Sequence, residues 1–119
     1  MLNHEKINYL EIPSKDMGKT KEFFTQVFDW KFTDYGPEYM AFSNADIDGG
    51  FYQSNQTVST DRGSVLVVFY SNDLESTQEK IISAGGSIVK SVFPFPGGRR
   101  FHFTDPNGNE YAVWSDKGI

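Results

Sequence analysis

Residues suited to binding and acid–base chemistry are concentrated near the end of the chain, within residues 99–115. The imidazole of His102 is the natural proton donor and acceptor near neutral pH. The guanidinium of Arg100 is planar, so it can bind a carboxylate or a phosphate through two parallel hydrogen bonds. We therefore expect Arg100 to bind an anion. His102 is a candidate base, although it could simply pair with Glu110 or Thr104 on a polar sheet surface.

These side chains belong to a predicted β-hairpin. Polar and apolar residues alternate on both sides of residues 105–109 (Asp-Pro-Asn-Gly-Asn), where proline and glycine favour a tight turn. If Thr104 pairs with Glu110, then His102 lies across from Ala112 and Arg100 lies across from Trp114. The two residues of each such pair share a face of the sheet. One face, suited to packing under a helix, then carries Phe101, Phe103, Tyr111 and Val113. The other face, suited to lining a pocket, carries Arg100, His102, Thr104, Glu110, Ala112 and Trp114.

Aromatic side chains could form a wall on which a planar or apolar ligand stacks. The candidates are Tyr9, Tyr70 and Trp114, with Tyr39 or Phe51 as further members. The cores of protein interfaces are also rich in aromatic residues, so a dimer contact is the alternative. We expect residues 93–98 (Phe-Pro-Phe-Pro-Gly-Gly) to form either a mobile flap over the site or an ordinary connecting loop.

Composition argues against several classes of function. The 119-residue chain has 16 acidic and 11 basic residues and no basic run longer than Arg99-Arg100, so we do not expect it to bind nucleic acid. The absence of cysteine excludes disulfides, thiolate metal sites and cysteine nucleophiles. Because the sequence shows neither a targeting pattern nor a long apolar run, we expect a cytoplasmic protein without membrane association.

The elements that must position these residues are predicted in the same order twice: a strand, a helix and three strands. The first module covers residues 7–53 and the second covers 65–115, and a linker or surface loop is expected at 54–64. Aligned on the helix starts Asp16-Met17 and Asp73-Leu74, the modules are offset by 57 residues, which indicates an internal repeat. The predicted fold is therefore α+β, with two βαβββ modules in one domain.

A single module of this kind would cover only one face of its sheet. Two modules can protect their bare faces by curling them around a shared concave cleft. In a chain of this length, a second copy often completes such a cleft, so we expect a homodimer.

Several local sequences accompany the repeated element order. They are the strand end Glu11-Ile12-Pro13, the helix end running from Phe23-Phe24 to Trp30, the helix start Asp73-Leu74, the helix stop Gly85-Gly86 and above all the turn at 105–109. Together they resemble the glyoxalase/bleomycin resistance protein/extradiol dioxygenase superfamily, also called the vicinal oxygen chelate (VOC) superfamily. The resemblance covers nearly the whole chain and implies paired βαβββ modules with a site on the concave sheet face.

The resemblance also identifies where a metal ion would be expected. Metal-using members of the superfamily place His, Glu or Gln ligands at positions that look like Tyr9, Leu66 and Ala112 here, and at a fourth position within residues 50–53. Leucine and alanine carry no lone pair, and a neutral tyrosine is a poor ligand, whereas a transition metal needs three or four nitrogen or oxygen donors. We therefore expect no metal ion and no other cofactor at this place.

Three functions remain open. The first is a superfamily member without the usual metal ligands that binds a small amphipathic or anionic molecule in the cleft through Tyr9, Tyr70, Arg100 and Trp114. The second is a glyoxalase-type lyase or isomerase, or a dioxygenase, that uses a displaced metal site or His102 as base. The third is a dimerising interaction domain without catalysis.

Overall fold

The computed structural model describes residues 2–118 and has the predicted α+β architecture. Contacts divide the chain into two compact units, Met1–Gln56 and Thr57–Ile119. Within residues 2–118, each unit contains one α-helix and one four-stranded mixed sheet, as expected for a βαβββ module. No helix within residues 2–118 is both long and apolar enough to cross a membrane.

The first unit is built around an aromatic core. Its elements are β1 (Tyr9–Ser14), α1 (Met17–Phe28), β2 (Lys31–Asp34), β3 (Tyr39–Ser43) and β4 (Asp48–Gln53). The sheet order is β1-β4-β3-β2, and β1 runs parallel to β4. The ring of Trp30 stacks between Phe24 at 4.5 Å and Phe42 at 4.2 Å, and Phe51 is fully buried beside them. Stacked aromatic rings stabilise such a core through the apolar area that they bury and through their favourable mutual geometry.

The second unit repeats this plan. Its elements are β5 (Val67–Tyr70), α2 (Leu74–Ser83), β6 (Ser87–Phe95), β7 (Gly98–Thr104) and β8 (Glu110–Ser115). The sheet order is β5-β8-β7-β6, with β5 parallel to β8. In its core Phe103 stacks on Tyr111 at 5.2 Å, and the Tyr111 hydroxyl donates a 2.7 Å hydrogen bond to Asp105. Asp105 thus links the turn that follows β7 to the core through this hydrogen bond.

The two units join their first strand to their helix in the same way. The hydroxyls of Ser14 and Thr20 are hydrogen-bonded at 2.7 Å in unit 1, and those of Ser71 and Thr77 at 2.7 Å in unit 2. Both members of the second pair lie 57 residues after their counterparts, at the offset that the sequence predicted. We call each pair a hydroxyl clip. Each clip ties the end of the strand to the side chain of a residue in the helix.

The hairpin of β7 and β8 has the predicted register. Thr104 pairs with Glu110 and His102 with Ala112, and Arg100 pairs with Trp114. All four residues predicted to pack under the helix are fully buried, namely Phe101, Phe103, Tyr111 and Val113.

Two predicted loops prove to be more structured than expected. Residues 93–98 do not form a flap, because Phe93–Phe95 continue β6 and pair with Arg100, Arg99 and Gly98. Pro94 is tolerated there because β6 is the outer strand of its sheet, where a missing backbone N–H is least costly. The segment 54–64 contains a short 3-10 helix, Thr60–Arg62, and the carbonyl of Val58 accepts a hydrogen bond from the backbone of Glu110 on β8.

Candidate functional site

One side of the unit 2 sheet gathers four of the five predicted site residues. The strand register places on this side Val68 and Tyr70 from β5, Lys90 and Phe93 from β6, Arg100 and His102 from β7, and Glu110, Ala112 and Trp114 from β8. We call this side the arginine face. It lies opposite the buried residues that pack toward α2, so it is available for chemistry rather than for the core of the unit.

The most buried polar group on the arginine face is a histidine–carboxylate pair. Nδ1 of His102 lies 2.7 Å from Oε2 of Glu110, and only 4% of His102 and 7% of Glu110 are exposed. Glu110 is the diagonal cross-strand neighbour of His102, and the small Ala112 stands directly opposite the imidazole. An alanine at that position leaves room for the imidazole to reach the carboxylate.

Thr60 donates further hydrogen bonds to this carboxylate. Its backbone N–H donates to Oε1 of Glu110 at 2.8 Å, and its hydroxyl donates to the same oxygen at 3.0 Å. Burial alone would raise the pKa of Glu110, but the hydrogen bonds from His102 and Thr60 outweigh it and hold the pKa below its usual value. Glu110 is therefore an ionised, fully bonded carboxylate. No local pattern pointed to Thr60, which lies in a polar segment 50 residues before Glu110.

Arg100 determines which nitrogen of His102 carries the proton. Its Nη2 lies 3.0 Å from Nε2 of His102. A guanidinium can only donate hydrogen bonds, so Nε2 must accept through its lone pair. The proton of a neutral imidazole then resides on Nδ1, which donates to Glu110. The three side chains form a line from a cation, through a neutral imidazole, to a carboxylate.

Arg100 is partly buried among aromatic rings. Its guanidinium lies 5.8 Å from the ring centre of Phe93 and 5.9 Å from that of Phe95, within range of cation–π attraction. None of the ion pairs found among residues 2–118 involves Arg100, and its Nε is buried without a hydrogen-bond partner. The only hydrogen-bond acceptor seen for its guanidinium in this range is the neutral imidazole of His102.

The adjacent Arg99 has a different environment. It lies on the opposite side of β7 and binds Glu75 of α2 through two hydrogen bonds of 2.7 and 3.2 Å. Its charge is thus neutralised by a carboxylate. Two consecutive arginines therefore have separate roles, because successive residues of a strand point to opposite faces.

Aromatic rings from β5, β6 and β8 accompany Arg100 on this face. Tyr70 and Trp114 meet edge to face at 5.1 Å, and Phe95 lies 6.0 Å from Trp114. Half of Tyr70 is exposed, and its hydroxyl donates to Asp116, a hydrogen bond that raises the pKa of the phenol. Tyr70 and Trp114 thus lie on the same face as Arg100, as the sequence predicted. Phe93 and Phe95, expected in a flap, are additional members of the aromatic lining.

Tyr9 belongs to unit 1, where it has its own polar neighbours. The Tyr39 hydroxyl donates to Glu11 at 3.0 Å, so the Tyr9 hydroxyl, 2.6 Å away, donates to Tyr39. Burial, followed by the hydrogen bonds to Tyr9 and Glu11, raises the pKa of Tyr39. Gly50 makes this arrangement possible, because a Cβ at that position would collide with the Tyr39 ring. We call Tyr9, Tyr39 and Glu11 the tyrosine relay.

The residues at the positions expected to hold a metal ion do not fit one. Leu66 and Ala112 offer only hydrocarbon, and Tyr9 is engaged with Tyr39. Pairing with β1 places Gly50 and Tyr52 on the same side of the unit 1 sheet as Glu11, so the fourth position has either no side chain or a phenol. Among residues 2–118, no group of three or more His, Asp or Glu side chains is arranged to hold a metal ion.

Comparisons with known proteins identify the family and the fold. The family model described as "Glyoxalase/Bleomycin resistance protein/Dioxygenase superfamily" matches residues 6–113. The fosfomycin resistance protein FosX from Listeria monocytogenes has 18% sequence identity and a TM-score of 0.77, with 100% of this chain and 96% of that chain covered. A glyoxalase/bleomycin resistance protein/dioxygenase family enzyme from Burkholderia phytofirmans PsJN has 15% identity and a TM-score of 0.75, over 91% and 96% of the two chains.

A third structure contains bound molecules. It is a mutant of the Listeria monocytogenes FosX in complex with Mn(II) and 1S,2S-dihydroxypropylphosphonic acid. It has 17% identity to this chain and a TM-score of 0.77, over 92% of this chain and 89% of that one. No curated protein matches the sequence significantly. At these identities the solved structures establish the fold alone.

Proposed function

Because the chain belongs to the glyoxalase/bleomycin resistance protein/dioxygenase superfamily, we propose that it binds a small amphipathic anion on the arginine face, without a metal ion at the family's usual ligand positions. The observation that carries the proposal is the environment of Arg100. It is a partly buried cation with aromatic neighbours and no carboxylate partner among residues 2–118.

Electrostatics favours an anion at this position. Removing a charge from water is costly unless an opposite charge or good hydrogen bonds replace the solvent. Arg99 meets this requirement through Glu75, whereas Arg100 has only a neutral imidazole acceptor and two aromatic ring faces. A carboxylate, phosphonate or sulfonate would supply the missing charge, because the guanidinium fork matches two oxygens of such groups.

The aromatic neighbours define the other half of the ligand. Trp114, Tyr70 and Phe95 form a set of ring edges and faces beside Arg100. An aromatic or aliphatic body attached to the anionic group would cover these rings and exclude water from the ion pair. The phosphonic acid bound to the FosX mutant supports an anionic ligand class, and phosphonates therefore belong among the first probes.

Calorimetric titration with benzoate, phenylphosphonate and benzenesulfonate tests this proposal. Arg100→Gln should weaken binding by about 10- to 100-fold, the usual loss when a charge-assisted hydrogen bond is removed. Arg99→Gln is the matched control, since it removes a neighbouring cation from the opposite face and should leave the affinity within about twofold. Equal affinities of the wild type and Arg100→Gln for every probe would overturn the proposal.

The competing proposal is an enzyme of the lyase or isomerase type, or a dioxygenase, with His102 as base. The hydrogen bond between His102 and Glu110 favours it, because a carboxylate that orients one imidazole nitrogen leaves the other to take a proton. That other nitrogen accepts from Arg100, so a substrate would first have to displace the guanidinium. Stoichiometric Ni, Zn, Mn or Fe in protein purified without a chelator would favour a displaced metal site instead.

We also propose that the chain forms a homodimer, and that the rings of the arginine face could serve as its contact. Val68 and Tyr70 are about half exposed, as expected for side chains that a partner covers. Light scattering should give the mass of two chains at micromolar concentration. If Trp114→Ala yields monomers and the probes do not bind to the wild type, the face is an interaction surface rather than a ligand site.

A further inference from the structure

We infer that the arginine face takes up its anion together with a proton. The incoming oxyanion draws the guanidinium of Arg100 away from Nε2 of His102, and His102 is then protonated at Nε2 and donates to the bound oxyanion. This inference rests on the proposed function, and it defines the ligand as an oxyanion recognised by two cations rather than by one.

The starting point is the hydrogen bond between Arg100 and His102. Nε2 accepts from Nη2 only while it keeps its lone pair, so the arrangement requires a neutral imidazole. Protonated Nε2 and the guanidinium would face each other as two donors of like charge at 3.0 Å. The contact with Arg100 and the proton on Nε2 therefore exclude each other.

On the other side of the imidazole, Nδ1 faces a carboxylate that would stabilise a positive charge on the ring. Nδ1 donates to the ionised Glu110, and this bond is retained and strengthened when the ring becomes an imidazolium. The Thr60 backbone and hydroxyl hold Glu110 in place from the segment before β5. A second proton on His102 thus needs only one change, namely the departure of Arg100 from Nε2.

The remaining charged and titratable groups of the face do not compete for this role. Lys90 on β6 lies directly across from His102 and is exposed, and Tyr70 on β5 donates to Asp116. In the 57–64 segment, Arg62 donates to a backbone carbonyl and Asp61 is exposed. Arg100 on β7 and Glu110 on β8 are the two partners of the imidazole itself. Within the described part of unit 2, no third side chain of this face hydrogen-bonds to the imidazole.

An oxyanion couples the two events. Bound between Arg100 and His102, it gives the guanidinium a better acceptor than a neutral nitrogen and gives Nε2–H an acceptor of its own. Up to one proton moves from the buffer to Nε2 for each anion bound, and apart from this proton transfer no covalent bond is made or broken. By linkage, the affinity for an anion of fixed charge then increases as the pH falls, by at most about tenfold per pH unit.

Calorimetric titration with benzenesulfonate is the direct experiment, because this anion keeps the same charge throughout the range in which imidazoles titrate. Titrations at about pH 7.5 in buffers of different ionisation enthalpy give the number of protons taken up. We expect about half a proton or more per anion for the wild type. His102→Gln should bind with proton uptake near zero, and Arg99→Gln should keep the wild-type uptake, since Arg99 lies on the opposite face of β7 and binds Glu75.

The outcomes separate the two proposals. Binding that depends on Arg100 but involves no proton uptake in the wild type would overturn this inference and leave the proposed function standing. Absence of binding for benzenesulfonate and for the other two probes would overturn both.

A measurement on the ligand-free protein tests the inference independently of any binding and of any variant that fails to fold. The ¹⁵N chemical shifts of the His102 ring at about pH 8 should show a protonated Nδ1 and a bare Nε2. The opposite tautomer would overturn the inference. On addition of benzenesulfonate, Nε2 should move toward the shift of a protonated nitrogen, and an unchanged shift at saturation would also overturn it.

Discussion

The two units have the same order of strands and helix, but the side chains on their polar sheet faces differ in chemistry. Each begins with a strand joined to its helix by a hydroxyl clip, Ser14–Thr20 in one and Ser71–Thr77 in the other. On the sheet face away from the helix, unit 1 carries the tyrosine relay, which ends at the carboxylate of Glu11, whereas unit 2 carries Arg100 and His102. The strand-to-helix joint is thus the same in both units, while the residues on the sheet face differ in their chemistry.

A small residue on the last strand of each unit permits this divergence. Gly50 on β4 lies under the Tyr39 ring, and Ala112 on β8 lies across from His102. Ala112 and residues 50–53 are also where metal-using relatives would place ligands, according to the sequence resemblance. In this chain, small residues at these places make room for side chains that reach a carboxylate, Glu11 or Glu110. Each of these small residues thus lies beside a hydrogen-bonded network that includes a carboxylate.

The largest expected effect concerns the two carboxylates that end these networks. Glu110→Ala should lower the free energy of unfolding by about 3 kcal/mol, because it leaves buried donors of His102 and Thr60 without their acceptor. Glu11→Ala should change it by less than about 0.5 kcal/mol, because Glu11 is exposed and accepts from one phenol. Urea unfolding followed by circular dichroism measures both. Equal effects would show that the two faces do not differ in the way described.

The hydroxyl clips should differ by a smaller amount. Thr20→Val removes a hydrogen bond between two fully buried hydroxyls and should cost about 1.5 kcal/mol, whereas Thr77→Val affects a partly buried pair and should cost about 0.7 kcal/mol. Valine keeps the shape of threonine, so each change isolates the hydroxyl. Urea unfolding again gives the result, and a larger loss at Thr77 would reverse the proposed ranking.

Glu110 in unit 2 should make the stability depend on pH in the acidic range. Because the folded state lowers the pKa of Glu110, its ionised form stabilises the fold at neutral pH, and this contribution is lost as the pH falls through the folded-state pKa. Burial raises the pKa of Asp105, an effect of opposite sign that is present in both proteins and cancels in a difference. The stability difference between the wild type and Glu110→Gln should therefore shrink in acid. A difference that stays constant from neutral pH to about pH 3 would contradict this assignment.

The smallest expected effect is that of metal ions. Addition of Mn²⁺, Ni²⁺ or Zn²⁺ in small excess should shift the melting temperature by less than about 1 °C, because a ligand stabilises a fold only by binding to it. Differential scanning calorimetry of protein treated with a chelator provides the measurement. A shift of several degrees that saturates at one ion per chain would show that one of the faces holds a metal.

Much of the fold follows from local patterns in the sequence. The alternation on both sides of the 105–109 turn predicted the register of β7 and β8, and with it the separation of Arg99 from Arg100. The prediction of a loop at residues 93–98 was wrong, because it gave more weight to the proline and glycine content than to the alternation of Phe93 and Phe95. Residues 93–95 form a strand with β7 in spite of Pro94, since an outer strand accepts proline.

The site was predictable only in part, because its key contacts are distant along the chain. The sequence brought His102, Arg100 and Trp114 to one face, but the contact between Thr60 and Glu110 spans 50 residues and has no local signal. The line from Arg100 through His102 to Glu110 depends on side-chain directions that a register alone does not give. The cytoplasmic location and the homodimer remain predictions from the sequence.

The close approach of Gly98 to the last strand has a consequence for how accurately β7 must be placed. Any side chain at Gly98 would collide with the carbonyl oxygen of Ser115, so the close approach of the start of β7 to the end of β8 requires a glycine. A slip of one residue would send Phe101 and Phe103 to the outside and exchange the two arginines. The contact between Gly98 and Ser115 belongs to the register that places Arg100, and not Arg99, on the arginine face.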